Sequence, residues 1–324
     1  MDPALFLADL EQKPARLADL AAALREGDPW GVSADDADRS WLLLGMGSSA
    51  YAAQVSAARL RSQGIRAVAE LAATDLLPQV DARTTVVAIT ASGGSTETLD
   101  ACRRLRDCDA GARFVALTNA VDSPVAELCD DVVPLWAGRE EGGVACRTFQ
   151  HTLALLLALE SPLLGADRDA VPVPDLLERV AEASAHLLDT RTAWLPEVTS
   201  ALLGPAGTHV VAPARRLSSA QQSALMLREG PRLPAYACET ADWSHVDVYL
   251  TKTTDYRMLL LAGSRWEEEL LRWVRERGST VVAVGGDVPG AALTVRYPHD
   301  DLDDVRLLAE TLVAELLAAT AWPR

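Results

Sequence analysis

The spacing of hydrophobic and polar positions predicts strands alternating with helices. Short β-branched or leucine-rich runs are each followed by a longer segment with apolar residues at helical spacing. In the first half, strands are predicted at Trp41–Leu44, Thr85–Thr90, Phe114–Thr118 and Asp131–Leu135, and helices at 4–24, 49–63, 96–105 and 149–159. This alternation builds a parallel sheet that helices cover on both faces.

The second half repeats this pattern. Strands are predicted at His209–Ala212, Pro234–Cys238, Arg257–Ala262 and Thr280–Val284, and helices at 175–190, 218–229, 265–277 and 301–321. The predicted fold is α/β, with two tandem doubly wound parallel-sheet units of flavodoxin-like type flanked by N- and C-terminal helices. The predicted domains are an N-terminal helical segment 1–36, a first unit 37–165, a connecting helix 166–199, and a second unit with the C-terminal helix, 200–324.

Composition and charge exclude several classes of function. The net charge of −16 repels a phosphate backbone, so no nucleic-acid partner is expected. No apolar run approaches the roughly 20 residues of a membrane helix, and no secretory signal precedes the first helix, which predicts a cytoplasmic protein. The five cysteines form no Cys-x-x-Cys pair and the five histidines are dispersed, so no metal site is expected.

The first candidate loop is Gly45–Ala50, Gly-Met-Gly-Ser-Ser-Ala, between a predicted strand and a helix. Its small residues let backbone N–H groups and a helix N-terminus approach an anion, and Ser48 and Ser49 add hydroxyl donors beside Gly47. The loop also fits the dinucleotide pattern G-x-G-x-x-A, with Glu70 as a candidate ribose acid. A tight turn with a serine N-cap would use the same residues.

The second candidate loop is Thr90–Thr96, again between a strand and a helix. Hydroxyls at Thr90, Ser92 and Ser95 surround Gly93 and Gly94. Backbone amides and neutral hydroxyls can bind a phosphate monoester, helped by the helix dipole. Two such loops at neighbouring strand ends indicate the crevice where open α/β sheets bind ligands.

Glu229 and His245 are the candidate proton-transfer residues. Glu229 is predicted to end a helix because Gly230-Pro231 follows it, and a carboxylate at a helix C-terminus has a raised pKa. His245 follows in a predicted loop. Each residue alone is more often structural, so the pair by itself supports no function.

Taken together, these segments resemble the SIS (sugar isomerase) family, in particular the isomerase half of glucosamine-6-phosphate synthase and free-standing deaminase and deglycase relatives. Residues 10–14 resemble its Glu-Gln-Pro opening helix with Lys13 inserted, and 45–49 its first sugar-phosphate loop. Residues 89–95 are similar to its phosphate loop Ile-Ser-x-Ser-Gly-Glu-Thr, and 141–145 to its Glu-x-Gly-Val-Ala segment. Residues 224–229 resemble Ala-Leu-Lys-Leu-Lys-Glu, which ends in the family's proton-transfer glutamate.

The resemblance implies roles for individual residues. The family's glutamate and ring-opening histidine are sixteen residues apart, and Glu229 and His245 have that spacing (245 − 229 = 16). Both are therefore expected to be catalytic. Sugar-phosphate binding is expected at Gly47, Ser48, Ser49, Thr90, Ser92, Gly93, Ser95 and Val144. In the family the histidine comes from the partner subunit, which implies a homodimer with shared active sites. The resemblance implies no metal and no organic cofactor either.

The chain also departs from the family. The family's Gly-Arg-Gly loop is Ala212-Pro213-Ala214 here, and its Lys-His-Gly-Pro is Ser244–Asp247. The synthase's C-terminal Schiff-base lysine is missing, and the only lysines are Lys13 and Lys252, so a lysine imine is not expected. No glutaminase domain is expected either.

The resulting hypothesis is an isomerase, deaminase or deglycase that acts on an amino or aminoacylated sugar phosphate through an enediol or enolamine. Two alternatives stay open. One is a catalytically silent phosphosugar sensor, and the other is a nicotinamide-dependent dehydrogenase based on the first loop. Arg147 or Arg215 could bind a second anionic group of the substrate, or could be ordinary surface charges.

Overall fold

The computed structural model describes residues 1–108, 110–164 and 171–323. Contacts divide these residues into two compact units. The first unit consists of Arg16–Arg139 and Arg147–Leu177, and the second of Met1–Ala15, Glu140–Cys146 and Glu178 to the end of the described chain. The domain boundaries taken from the sequence follow chain order instead, and as boundaries they stay a prediction. Part of the predicted 161–175 connection, residues 165–170, lies outside the described residues.

The first unit is built on a parallel five-stranded sheet in the order β2-β1-β3-β4-β5. Its strands are β1 Ser40–Gly45, β2 Arg66–Leu71, β3 Thr84–Thr90, β4 Arg113–Thr118 and β5 Asp131–Pro134. β1 pairs with β3 in parallel register, from Ser40 opposite Thr84 to Leu44 opposite Ala88. This is the flavodoxin-like order 2-1-3-4-5, and it confirms the predicted fold class.

The second unit repeats the same topology. Its strands are β6 Thr208–Ala212, β7 Ala235–Glu239, β8 Arg257–Leu261, β9 Thr280–Val284 and β10 Leu293–Val295. They form a parallel sheet in the order β10-β9-β8-β6-β7, which read from β7 is again 2-1-3-4-5. The predicted strands are all present in both units. The edge strands β2 and β10 have no continuous apolar run and were not predicted.

Helices connect the strands and flank the two sheets. Before and within the first sheet they are α1 Pro3–Glu11, α2 Lys13–Glu26, α3 Ser48–Ser62, α4 Thr96–Asp107, α5 Pro124–Glu127 and α6 Arg147–Leu164. The remaining helices are α7 Val173–Asp189, α8 Arg191–Leu202, α9 Leu217–Glu229, α10 Thr240–Trp243, α11 Glu267–Glu276, α12 Asp303–Ala309 and α13 Thr311–Ala321. Helix α8 was not predicted.

Two predicted helices are each divided in the structure. The prediction of one helix over 4–24 is wrong, because the chain breaks at Gln12 between α1 and α2. Pro14 has no N–H for the carbonyl of Leu10, which instead accepts from the Gln12 N–H. The helix predicted over 301–321 consists of α12 and α13, which meet at Glu310.

The two faces of the second sheet are covered by different elements. A core cluster joins Val211 and Leu260 of the sheet to Trp243 of α10 and Leu270 of α11, so α10 and α11 cover this face. Side chains alternate along a strand, so Val210 and Leu259 point to the other face. Helix α9 contacts both β6 and α13 there, as the right-handed crossover from β6 to β7 requires.

Candidate functional site

The first loop joins β1 to α3 through two glycines that the local backbone requires. A Cβ on Gly45 would lie 2.8 Å from the carbonyl carbon of Ser49, so only glycine allows this close approach. Gly47 has φ +52, which favours glycine, and it is the N-cap of α3 without a side-chain cap. Ser48 and Ser49, both half-buried, begin the helix. The first amides of α3 therefore lack the usual capping side chain.

The second loop joins β3 to α4 and packs tightly against a neighbouring turn. Gly93 has φ +66, and a Cβ there would overlap the side chain of Ser123. The Gly93 carbonyl accepts from Val125 N at 3.1 Å. Thr90 is buried at the strand end, whereas Ser92 is exposed and its Oγ accepts from Gly94 N at 3.3 Å. This packing holds the loop in one shape.

The start of α4 is capped by Ser95. Its Oγ accepts from Thr98 N at 3.3 Å and donates to Glu97 Oε2 at 2.9 Å. Hydrogen bonds from its own backbone amide and from Ser95 lower the pKa of Glu97. A carboxylate therefore already lies at this helix N-terminus, a contact that sequence reasoning missed although an acidic residue in the first turn is its usual signal.

The topology brings these two loops together. They follow β1 and β3, which are hydrogen-bonded neighbours, and both leave from the carboxyl edge of the sheet. In a 2-1-3-4-5 sheet this is the switch point where the chain turns in opposite directions and ligands bind. Seven of the eight predicted sugar-phosphate residues lie here: Gly47, Ser48, Ser49, Thr90, Ser92, Gly93 and Ser95. The dehydrogenase alternative loses support, because dinucleotide folds have the order 3-2-1-4-5-6.

Glu229 is the last residue of α9, as the sequence predicted. Its carboxylate is half-buried, and burial raises the pKa of Glu229 above the usual glutamate value, against the opposing charge of Arg228. Gly230 follows as the C-cap, where a Cβ would lie 2.6 Å from the Trp322 ring. The helix end is thus packed against the C-terminal residues of the same unit. A carboxyl group with a raised pKa is better suited to exchange a proton than an ordinary surface glutamate.

His245 is exposed on the turn that follows α10. Its backbone N–H donates to the Asp242 carbonyl at 2.8 Å, so the turn continues the helix tightly. Because α9 and α10 cover opposite faces of the second sheet, Glu229 and His245 lie on opposite faces within this chain. One chain therefore presents them on different sides of the sheet.

Val144 lies in the segment Glu140–Cys146, which belongs to the second unit and not to the unit of the two loops. It is buried, with 3% of its surface exposed. Gly142 N donates to Asp9 Oδ2 at 2.7 Å, and the Ala145 carbonyl accepts from Gln222 Nε2 at 2.8 Å. The segment is thereby held between α1 and α9, the helix that ends in Glu229. A substrate-binding role for Val144 stays a prediction.

Arg147 and Arg215 are both engaged within their own units. Arg147 is fully buried, and its guanidinium donates to the carbonyls of Ala137, at 3.0 Å, and Arg139. The half-exposed Arg215 pairs with Asp303 at 2.7 Å and donates to the Gly263 carbonyl at 2.8 Å.

The carboxyl edge of the second sheet is filled by its own side chains. Glu267, in the first turn of α11, accepts from the amides of Gly263 and, at 2.8 Å, Ser264. The buried guanidinium of Arg216 pairs with Glu310 and donates to the Ala262 carbonyl. Protein groups thus satisfy the amides that face a ligand in the equivalent position of other sheets.

The described residues contain neither a helix suited to crossing a membrane nor a group of side chains suited to holding a metal ion. Across residues 1–108, 110–164 and 171–323, no helix has the length and apolar content needed to cross a bilayer. In the same ranges no three His, Cys, Asp or Glu side chains are grouped so that they could hold a metal ion.

The geometry defines two flavodoxin-like units, the first with two glycine- and hydroxyl-containing loops at the carboxyl edge of its sheet. Comparison with known proteins supports this description of the fold. Residues 36–161 match the family model of the SIS domain, which confirms the resemblance predicted from the sequence.

The relatives are similar over most of the chain. It is 27% identical over 301 residues to a glutamine–fructose-6-phosphate aminotransferase (isomerizing) of Pyrobaculum aerophilum, covering 89% of this chain and 48% of the relative. The chain spans about a third to a half of the length of the curated relatives it matches.

Solved structures share the whole fold. One is the C-terminal domain of a glucosamine-fructose-6-phosphate aminotransferase from Francisella tularensis, with a TM-score of 0.83, 14% identity, and coverage of 99% of this chain and 98% of that one. Another is a glucosamine-6-phosphate deaminase from Thermotoga maritima, with a TM-score of 0.74, 18% identity, and coverage of 98% and 93%. At these identities the comparison concerns the fold.

Proposed function

We propose that this protein is a phosphosugar enzyme of the isomerase, deaminase or deglycase type, acting on an amino or aminoacylated sugar phosphate. The observation that carries the proposal is the pair of glycine- and hydroxyl-containing loops at the carboxyl ends of β1 and β3, within the part of the chain that matches the SIS-domain model. The similarity to an isomerizing aminotransferase and the fold shared with a deaminase support the same reaction class.

The two loops would bind the phosphate through neutral donors. Ser48, Ser49, Thr90, Ser92 and Ser95 supply hydroxyls, and the glycines allow backbone amides to approach. Each hydrogen bond to a charged group contributes about 1.5–3 kcal/mol, so a few of them suffice without a lysine or arginine. The N-termini of α3 and α4 add their dipoles.

Glu229 would move the proton between C1 and C2 of the open-chain sugar. A carboxylate does this as a base, takes the proton from one carbon and returns it to the neighbouring carbon of the enediol or enolamine. Burial raises the pKa of Glu229, and the ionised form is the base. The acidic limb of the kcat/KM–pH profile is therefore expected above the usual glutamate pKa of about 4.3.

His245 would protonate the ring oxygen and so open the sugar. Glu229 and His245 lie on opposite faces of the second sheet, so we propose that a second copy of the chain supplies the histidine. The homodimer inferred from the family resemblance would provide that copy. Its mass in solution, measured by light scattering, tests this part.

The substrate class follows from the few amines available to the enzyme. Lys13 is fully buried and ion-paired with Glu315, and Lys252 lies over the Tyr249 ring, 5.6 Å from its centroid. If the substrate carries the nitrogen, proton transfer converts a C2 amine into an imine. Water then hydrolyses this imine to a keto sugar and the free amine. This sequence needs no enzyme lysine.

The test is solvent-deuterium incorporation, followed by NMR, into fructose-6-phosphate, glucosamine-6-phosphate and a fructosyl-amino-acid phosphate. We expect exchange at C1 or C2 in the wild type and its loss, by a factor of 100 or more, in Glu229→Gln (about 10²–10⁴ for one general base). The matched control is Glu276→Gln, because Glu276 also ends a helix but is exposed. Equal exchange in the wild type and Glu229→Gln would contradict the assignment.

A silent phosphosugar sensor is the second candidate function. It is favoured by the placement of Glu229 and His245 on opposite faces, because a monomer would then have no assembled catalytic pair. Thermal protection by a sugar phosphate with no exchange on any of the three substrates would support the sensor and reject the enzyme.

A further inference from the structure

The turn that carries His245 is held at its start by one buried tyrosine, and the residue after the turn lies beside the same aromatic cluster. Trp243 ends α10 just before the turn, and its Nε1–H donates to the Tyr256 hydroxyl at 2.8 Å. Asp247 follows the turn, and its carboxylate lies next to the ring of His209, which stacks on Tyr256. Trp243 and Tyr256 are 0% and 2% exposed. Between these anchors the residues from 244 to 246 face solvent or are only half-buried.

Tyr256 in turn is held against the sheet by a stack of rings. The His209 ring of β6 stacks on Tyr256 with 4.0 Å between the ring centroids, and on Tyr236 with 5.0 Å. His209 Nδ1 lies 3.6 Å from Asp247 Oδ2, at the limit of an ion pair. Burial raises the pKa of Tyr256. Its hydroxyl therefore stays protonated where it accepts the hydrogen bond from Trp243 Nε1–H.

Asp247 occupies a position where the chain differs from the family it resembles, since Ser-His-Val-Asp replaces Lys-His-Gly-Pro at 244–247. A Gly-Pro pair would restrain a turn through its own backbone. Here Val246 and Asp247 follow the histidine, and the restraint comes from side chains instead. Backbone bonds from Val246 N to Asp242 O, 3.1 Å, and to Trp243 O, 3.3 Å, complete the short loop.

We propose that Tyr256 and Asp247 are positioning residues that clamp both ends of the His245 turn and so orient the imidazole for ring opening. This inference rests on the proposed function for the role of His245, but the clamp itself is a property of the fold. Misplacing a catalytic group by about 1 Å can cost up to about 100-fold in rate. The clamp matters because the His245 side chain is exposed and has no buried surroundings of its own to hold it.

The test compares Tyr256→Phe, which removes only the hydroxyl that Trp243 bonds, with Tyr249→Phe, the same change at a tyrosine that is 62% exposed. The first readout is the His245 ring signal in histidine-labelled protein, assigned by its absence in His245→Asn. We expect one sharp signal in the wild type and in Tyr249→Phe, and a broadened or doubled signal in Tyr256→Phe. An unchanged signal in Tyr256→Phe would overturn the proposal.

The second readout is the kinetics of deuterium exchange. Tyr256→Phe should lower kcat by about 10- to 100-fold with KM changed less than twofold, because phosphate binding is untouched. Asp247→Asn, which keeps an oxygen acceptor, should retain more activity than Asp247→Ala, while Asp242→Ala on the exposed side of α10 should match the wild type. Equal activity of the two Asp247 variants, or a rise in KM with unchanged kcat, would overturn the clamp.

The ring signal and the exchange kinetics distinguish failure of the proposed function from failure of the clamp. If no substrate exchanges deuterium in the wild type, the proposed function fails, and the His245 signal still decides the clamp. If Tyr256→Phe does not fold, shown by loss of its thermal transition, the same comparison is made with Asp247→Asn against Asp242→Asn.

Discussion

The carboxyl edges of the two sheets have the same topology but differ in the side chains that occupy their loops. After β3, a loop with two glycines and exposed hydroxyls leads into α4. After β8, the corresponding loop has its amides bound by Glu267 and its carbonyls bound by arginines. Ser92 Oγ accepts from Gly94 N at 3.3 Å, and Ser264 Oγ accepts from Trp266 N at 3.2 Å, so even the serine turns correspond.

The comparison shows how one fold can carry a binding edge and a structural edge. Both edges offer a helix N-terminus and a glycine turn, which favour an anion. At the first edge the Glu97 carboxylate bonds the Ser95 hydroxyl and its own amide. At the second edge Glu267 accepts from the loop amides of Gly263 and Ser264, and Arg215 and Arg216 pair with Asp303. We therefore expect sugar phosphate to bind at the first edge and the second edge to contribute only stability.

The largest expected effect is at Gly93, where a Cβ would overlap Ser123 and φ is +66. Gly93→Ala should abolish sugar-phosphate binding, by more than 100-fold, and lower the stability of the fold by about 3 kcal/mol. Gly94→Ala is the matched control, because a Cβ there meets nothing within 4 Å. Titration calorimetry with fructose-6-phosphate measures both variants, and equal loss in both would contradict the argument from packing.

The second effect concerns the paired serines. Ser92→Ala should weaken fructose-6-phosphate binding about tenfold, since it removes one hydrogen bond to a charged group. Ser264→Ala, the same change at the second edge, should leave the dissociation constant unchanged. Calorimetry under identical conditions gives both values. A similar weakening in Ser264→Ala would mean that the second edge also binds the ligand.

Glu267 offers the converse test at the second edge. Glu267→Ala leaves the Gly263 and Ser264 amides without their carboxylate acceptor, which should cost about 1–3 kcal/mol of stability. Sugar-phosphate affinity should not change. Chemical denaturation and calorimetry provide the two numbers. If affinity fell with stability unchanged, the assignment of a structural role would be wrong.

The smallest effect is expected at Glu97, whose carboxylate is bonded to Ser95 beside the first edge. Glu97→Gln removes a negative charge close to the proposed phosphate and should raise affinity about two- to fivefold at low salt, less at high salt. Asp100→Asn, one turn later on the same helix and exposed, is the control. A decrease in affinity would show that Glu97 contributes to binding.

The sequence was enough to predict the fold and the loops because both depend on local patterns. Buried runs such as Thr85–Thr90 alternate with helical spacing, and glycine–serine segments follow them directly. Edge strand β2 was not predicted because its exposed positions break the apolar run. The break at Gln12 was not predicted because the leucine spacing continues through it. These features are set by sheet position and by one proline.

The site was harder to predict wherever it depends on contacts distant in sequence. Ser123 restricts Gly93, Gln222 holds the Ala145 carbonyl, and the Tyr256 hydroxyl accepts from Trp243. None of these pairings has a spacing that a pattern could detect. The raised pKa of Glu229 was predicted from the helix end, whereas the structure attributes it to burial, which only packing reveals.

The most direct test of the central claim is an NMR titration of 15N-labelled protein with fructose-6-phosphate, and separately with glucosamine-6-phosphate, read at assigned backbone amides. The account predicts saturable shifts at Gly93, Gly94 and Ser95 and at Ser48 and Ser49, with none at Gly263 and Ser264. Shifts at Gly263 and Ser264 without shifts at Gly93–Ser95, or no shift at either edge with either sugar phosphate, would contradict it.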